Sequence, residues 1–259
     1  MTARQVRVCP VMGTVASIHV IGRADAVALE HAVDGAFGLL RRADRVFSMY
    51  DEQSDIRRIA RGELTVAAAD PWVREVSDAC DGAEFETRGL FSAHLGGAFD
   101  PTGCVKGWAA ERALREHLAP LLSEPAVQAV GLDVGGDLQV LTAESSDWTW
   151  NIGIVDPTDR TRVLATVPVR NGAVATSGSA ERGAHIIDPR TGRPATGIRS
   201  ATVIAPGLTR ADVWATAAVV AGDDLSWISR APDTSGLLVD DAGGVHRWIA
   251  GVTVDVQPA

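Results

Sequence analysis

The sequence predicts an α+β fold: a mostly antiparallel sheet with packed helices, in one domain spanning residues 1–259. Three observations carry this expectation. The long stretches with helical spacing of apolar residues lie in the first half, and the second half breaks into short alternating runs separated by turn residues. One helical segment returns near the end. No repeat, low-complexity tract or Pro/Ser-rich linker marks a domain boundary.

The elements follow in order. TVASIHVIG (14–22) alternates and reads as a strand. Residues 24–48 then place Leu29, Val33, Phe37, Leu40 and Phe47 on one helical face, a long amphipathic helix. DPWVREVSDACDGAEFETRG starts a second helix with Asp70 as cap and Pro71 at the first helical position, ending at Gly89. A third runs from about Gly107 to near Pro120. Beyond it, AVGLDVGGDLQVL, WTWNIGIVDP, VLATVPVRNGAVATSG, AHIIDPRTGRPA and SATVIAPG read as strands. Asn171-Gly172 has the composition of a tight hairpin turn. LTRADVWATAAVVAG returns to helix, followed by a short helix at LSWIS and a last hairpin in GLLVDDAGGVHRWIAGV.

Charge and composition exclude several classes. A net charge of -9 with no basic block leaves no nucleic-acid footprint. Cys9, Cys80 and Cys104 fit neither a zinc pattern nor a disulfide framework, and are expected as reduced thiols. No apolar stretch approaches the roughly 20 residues of a membrane span, and no signal peptide or lipobox is seen. The expectation is a cytoplasmic protein with no membrane and no nucleic-acid partner; the oligomeric state is left open.

Five segments could carry chemistry. Lys106 is the only lysine in the chain, set in FDPTGCVKGWAAERA among arginines that supply every other Lys/Arg charge. It is either a solvated surface lysine or a compact point charge where a planar guanidinium would not fit. Asp100-Pro101-Thr102-Gly103 is turn chemistry feeding a helix that begins near Lys106, and helix starts attract anions. In LTRADVWATAAVV, Asp212 and Thr216 are one helical turn apart and offer hard oxygen ligands to magnesium. The same stretch also reads as a capping box, Thr209-x-x-Asp212. GLDVGGDLQV is a hairpin turn, or a place where Gly135-Gly136 lets backbone approach a ligand between Asp133 and Asp137. In AVATSGSAERGAHIIDPRTGRPATG, Thr176 and Ser177 end a strand and His185 could take a proton from a hydroxyl, or be structural. Arg190 and Arg193 are turn residues or phosphate contacts. Tyr50, the only tyrosine, could stack on a planar ring or fill a gap. Together these point to a ring-bearing nucleotide pyrophosphate with a divalent cation.

At these residues the sequence resembles the ApbE family, the FAD:protein FMN transferases. VMGTVASI, FSMYDEQSDI, FDPTGCVKGWAAERA, DVGGDLQV, WNIGIVDP, VATSGSAERG, HIIDPRTGRPA and ADVWATAAVVAG occur in the family's order from about residue 11 to residue 222. The resemblance implies a T-fold-like domain. It also implies an enzyme that moves FMN from FAD to a Thr or Ser hydroxyl of an acceptor flavoprotein, with magnesium (or manganese), releasing AMP. Residue by residue, it implies that Asp212, Thr216 and a carbonyl at Gly103 hold the metal. Met12 and Tyr50 would line the flavin. Lys106, Asp133, Gly136, Thr176 and Ser177 would surround the FAD pyrophosphate and ribose, and Ser48, Asp100 and Gly103 would also bind FAD. His185 would contact FAD and, with Asp188 and Lys106, take part in catalysis. An FAD pyrophosphatase giving FMN and AMP, or a non-catalytic FAD-binding protein, would use the same contacts. Three departures stand out. Ala60 replaces a usual asparagine, the segment between the FDPT and KG elements is short, and Glu111 stands where aspartate is frequent.

Overall fold

The computed structural model describes residues 3–95, 98–178 and 186–254. Its first element is a strand the sequence expectation lacked. β1 (Arg4–Val11) pairs with β2 (Thr14–Gly22) through a turn at Met12 and Gly13, both at positive φ (54° and 68°). β1 lies at the edge of the sheet; its Val6 and Val8 point to the exposed side, and of the residues on its inward side, Gln5, Arg7, Cys9 and Val11, only Cys9 and Val11 enter the core. With apolar residues outside and polar ones inside over its first half, the strand has no clean apolar-in, polar-out alternation to read.

α1 (Ala26–Phe47) has Asp25 as its cap, whose Oδ1 accepts the N–H groups of Val27 and Ala28 at 3.0 Å. The predicted face, Leu29, Val33, Phe37, Leu40 and Phe47, is buried throughout. α2 (Asp55–Ala60) is short, and α3 (Trp72–Thr87) begins where the Asp70-Pro71 signal places it. Asp70 Oδ1 accepts Trp72 N–H at 3.0 Å, and both Asp70 oxygens receive Arg42 of α1. β3 (His94–Leu95) and β4 (Ala98–Phe99) form a small ribbon.

α4 (Thr102–Ala113) starts five residues before the expected Gly107, so Lys106 sits in its second turn rather than at its start. The Asp100-Pro101 turn is itself the helix entrance, with Asp100 Oδ1 accepting Thr102 N–H at 3.0 Å. The helix continues as a π turn (Leu114–Leu118) and a 3-10 turn (Ala119–Ser123), ending close to the predicted Pro120.

β5 (Val127–Val134) and β6 (Asp137–Thr142) are joined by the Gly135-Gly136 turn, with φ of 64° and 93°. β7 (Trp150–Val155) pairs with β8 (Val163–Val169), whereas β9 (Gly172–Gly178) pairs with β6 and β12 (Ile198–Ala205). The expected Asn171-Gly172 hairpin is therefore corrected. These residues carry the chain from one sheet to another, and Asn171 Oδ1 instead accepts Thr142 N–H at 2.8 Å. The hairpin β10 (Ile187–Asp188) and β11 (Arg193–Pro194) precedes β12. α5 (Leu208–Ala221), a 3-10 turn (Leu225–Arg230), β13 (Ser235–Asp240), β14 (Val245–Ile249) and β15 (Val252–Val254) complete the described chain.

The principal sheet has nine strands in the order β1-β2-β5-β6-β9-β12-β13-β14-β15, and every pairing among the described residues is antiparallel. The expected α+β architecture holds, although helices do not simply precede strands, because β1 and β2 join the same sheet as the later strands. One face carries α1, α4 and α5 over a core that includes Ile18, Leu40, Leu132, Val203 and Trp214. The other carries the β7–β8 ribbon, where Trp150, Ile152 and Val169 pack on Ile21, Ala129, Val140 and Val174.

α5 settles the capping-box alternative. Its N-cap is Gly207, with no side-chain cap of its own. Glu111 of α4 supplies the acceptor: Oδ-type capping is replaced by Glu111 Oε2, which takes Thr209 N–H at 2.9 Å and Thr209 Oγ1–H at 2.7 Å. Asp212 is thereby released from any capping role. Glu111→Ala should destabilise the protein by about 1 kcal/mol, read as a lower midpoint in urea denaturation, with Glu111→Gln retaining part of the loss.

Candidate active site

The cleft opens where β6 begins and β9 ends, and the glycine turn before Asp137 leaves that end of the sheet open. Its volume is about 930 Å³, at the upper end of the roughly 300–1,000 Å³ usual for small-molecule sites. Segments far apart in sequence converge there.

One wall is polar and belongs to α4, α5, β6 and β9. Gly107 makes it possible. A Cβ at Gly107 would lie 2.7 Å from the Leu208 carbonyl and 3.0 Å from Asp212 Cβ, so only glycine lets the two helices approach this closely. Gly107 N–H, the donor that helix geometry pairs with the Gly103 carbonyl, reaches Asp212 Oδ2 at 3.1 Å. Gly103, Asp212 and Thr216 all line the cleft. Thr216 Oγ1 is 3.1 Å from Ser177 Oγ on β9. Thr176 Oγ1 lies 2.9 Å from Thr202 Oγ1 on the neighbouring β12, its register partner. Lys106 projects from α4 into the same wall and forms an ion pair with Asp137, the first residue of β6. Asp137 Oδ1 also accepts Thr176 N–H at 2.9 Å.

The other wall is apolar. Phe47, Met49, Leu90 and Phe91 line it beside Met12, whose N–H donates to Asp44 Oδ2 at 3.0 Å. Ser48 closes α1 and its Oγ accepts the N–H groups of Tyr50 and Asp51. Tyr50 is 95% exposed at the rim. Ile152 and Ile154 of the β7–β8 ribbon line the far side.

Electrostatics distinguish the polar wall. Asp212 is 5% exposed. Burial above all, and then the neighbouring Asp137 charge, raise its pKa to about 7, against the opposing pull of Lys106 and Gly107 N–H. Burial raises Asp137 as well, with Lys106 opposing. Acids held this reluctantly in charged form fit a site that receives further positive charge. Among the described residues no group of three or more His, Cys, Asp or Glu could hold a metal ion. An ion at Asp212 would instead be gripped by one carboxylate, the Thr216 hydroxyl and the Gly103 carbonyl. That hard-oxygen set suits magnesium, which keeps positions for water and phosphate oxygens.

The structure thus brings Met12, Ser48, Tyr50, Asp100, Gly103, Lys106, Gly136, Thr176, Ser177, Asp212 and Thr216 to one cleft. Two candidates border the cleft without lining it. Asp133 is not among the lining residues; its Oδ1 accepts Gly136 N–H at 3.0 Å and shapes the glycine turn. Asp188 is also absent from the lining, although Ile187 and Pro189 are present. Arg190 grips it at 2.9 and 3.0 Å while also donating to the Val220 carbonyl, and these hydrogen bonds hold the Asp188 carboxyl below its ordinary pKa. Arg190 is accordingly a strut of the β10–β11 hairpin. His185 lies outside the described residues. Ala60 ends α2 on the exposed surface and does not line the cleft.

Sequence reasoning placed Asp137 only as a flank of the Gly135-Gly136 turn, without its Lys106 partner, and gave no role to Thr202 or Asp44. Asp137 had a signal, a carboxylate directly after two glycines; Thr202 had none, because a threonine in a strand is unremarkable until its partner is known.

A helix-backed antiparallel sheet carries a cleft that joins an apolar wall to buried acids, hydroxyls and one ammonium, and so offers charged, polar and apolar contacts together. The chain belongs to the ApbE family: residues 92–238 match the ApbE family. It is 34% identical over 119 residues to the FAD:protein FMN transferase of Escherichia coli (strain K12), an alignment covering 42% of this chain and 34% of that protein. It is 35% identical over 152 residues to the FAD:protein FMN transferase of Treponema pallidum (strain Nichols), covering 52% of this chain and 41% of that one. The matched stretch thus spans about a third of the length of the E. coli relative. The fold matches the crystal structure of the ApbE protein from Thermotoga maritima with a TM-score of 0.80 at 23% identity, over 95% of this chain and 97% of that one. It also matches the flavin transferase ApbE from Vibrio cholerae, with a TM-score of 0.69 at 18% identity over 96% and 97%.

The raised pKa of Asp212 makes the metal-free protein sensitive to pH. The folded state holds the Asp212 proton up to about pH 7, whereas the unfolded chain releases it near the ordinary carboxylate value. Its contribution is therefore complete below about pH 4 and is lost as pH rises towards 7. In EDTA, thermal stability of wild type should fall relative to Asp212→Asn across that interval; parallel curves for the two proteins would refute this assignment.

Proposed function

We propose that this protein is a magnesium-dependent FAD:protein FMN transferase that places FMN on a Thr or Ser hydroxyl of an acceptor protein and releases AMP. The observation that carries the reading is the juxtaposition of Asp212, Thr216 and Gly103 with the Lys106 ammonium on one wall of the cleft. The family membership and the names of its relatives agree with it.

In this reading the apolar wall of Met12, Phe47 and Phe91 takes the flavin ring, with Tyr50 at the rim. Lys106, Thr176, Ser177 and the open Gly136 backbone hold diphosphate oxygens. A dication bound by Asp212, Thr216 and the Gly103 carbonyl supplies charge neutralisation to the diphosphate. The acceptor oxygen forms a bond to the FMN phosphorus as the bond from that phosphorus to the bridging oxygen breaks. AMP departs with the bridging oxygen, and the hydroxyl proton passes to His185, the base implied by the family resemblance. Positioning and fixed charge do most of this work, as is general for phosphoryl transfer.

The test mixes the protein with FAD, magnesium and candidate Thr- or Ser-bearing acceptors, and follows fluorescent protein bands and AMP. Labelled acceptor with AMP supports transfer. FMN and AMP without labelled protein would replace it by hydrolysis, and intact FAD would replace it by binding alone. Asp212→Ala should lower magnesium-dependent transfer by about 10²-fold or more while keeping a cooperative thermal transition. Lys106→Arg should weaken FAD binding or turnover, since a fork cannot reproduce a point charge at this position; unchanged kinetics would count against that role.

A further inference from the structure

We infer that Asp137 is a positioning residue for the transfer reaction, acting through Lys106: it fixes the single ammonium of the cleft where the diphosphate must lie. The inference rests on the reading just proposed.

Lys106 is surrounded by acids. Asp133, Asp137 and Asp212 all feel its charge, and they lie on β5, β6 and α5. Asp137 is the one with which it closes an ion pair. That carboxylate is itself held by its surroundings. It is 2% exposed, it starts β6 directly after the Gly135-Gly136 turn, and its Oδ1 is tied to Thr176 N–H at 2.9 Å. Lysine is a flexible four-carbon stem with a rotatable head, so its end position depends on what holds it. With Asp137 in place the head is drawn to the start of β6, beside β9. Without Asp137, the remaining buried acid on this wall among the described residues is Asp212, and its charge would draw Lys106 towards the residues assigned to the dication. Asp137 thus separates two positive charges that the site needs at different oxygens. Buried ion pairs add little net stability, so the arrangement is better explained by placement than by folding.

Asp137→Asn is the informative variant, because the amide oxygen still accepts Thr176 N–H while the charge that holds Lys106 is gone. The variant should keep a single cooperative melting transition, at a midpoint lowered by the loss of one partner of a buried pair. Its kcat for transfer should fall about 10–100-fold, as for other residues that orient a functional group, with KM for FAD changed less. In a Lys106→Ala background the same change should cost little further, because both act through one group. Multiplicative losses, or Asp137→Asn activity within about twofold of wild type, would overturn the inference.

A readout independent of activity comes from the uniqueness of Lys106. Selective ¹³C,¹⁵N-lysine labelling of the full chain gives one side-chain ammonium signal, expected to be protected and observable in wild type and lost in Asp137→Asn. An unprotected signal in wild type overturns the inference. A protected signal in a wild type that performs no transfer retains the Lys106–Asp137 pairing and removes the proposed function, and with it the catalytic role assigned here.

Discussion

A carboxylate buried at the crossing of two helices sets the terms for the rest of this molecule. Asp212 can be where it is because Gly107 has no side chain, so α4 and α5 touch, and because Gly107 N–H meets its Oδ2. Burial makes its charge costly, as the raised pKa records. The surrounding structure is arranged to meet that cost. Glu111 takes over the start of α5, so that Asp212 need not serve as a cap. Lys106 supplies positive charge from the facing helix, and the hydroxyls of Thr216 and Ser177 complete a wall of hard oxygens.

The sheet explains how so many separated segments reach one cleft. β6 and β9 are neighbours, so the glycine turn before β6 and the hydroxyl-bearing end of β9 share one end of the sheet. Alternation along β9 then divides two adjacent residues. Ser177 turns to α5, while Thr176 meets Thr202 across the strand pair. The β7–β8 ribbon covers the opposite face and contributes Ile152 and Ile154. The cleft therefore draws on both faces of the sheet and joins polar to apolar lining.

Asp133 and Asp137 show how little sequence proximity says about role. Four residues apart across a tight turn, both carboxyls are raised by burial. Asp133 is consumed by Gly136 N–H and shapes the turn, whereas Asp137 faces Lys106 and the cleft. Asp188 is a similar case: its motif looks chemical, but its carboxylate is engaged with Arg190 at a hairpin.

Local patterns by themselves determined the α1 face, the Asp70-Pro71 helix start, the alternating strands and the i,i+4 placement of Asp212 and Thr216, because each depends on residues within one or two turns. They also held the ordered motifs that pointed to the family. What they could not hold was pairing between distant segments. β1 puts Val6 and Val8 on its exposed side and Gln5 and Arg7 on its inward side, so only Cys9 and Val11 carry a core signal, and Asn171-Gly172 has hairpin chemistry, yet its flanking strands find partners in different sheets. The Asp137–Lys106 ion pair, the capping of α5 by Glu111 and the Gly107–Asp212 contact join residues from different elements. Only the packed fold decides them, since long-range contacts depend on the sum of burial across the sheet and helices rather than on any local stretch.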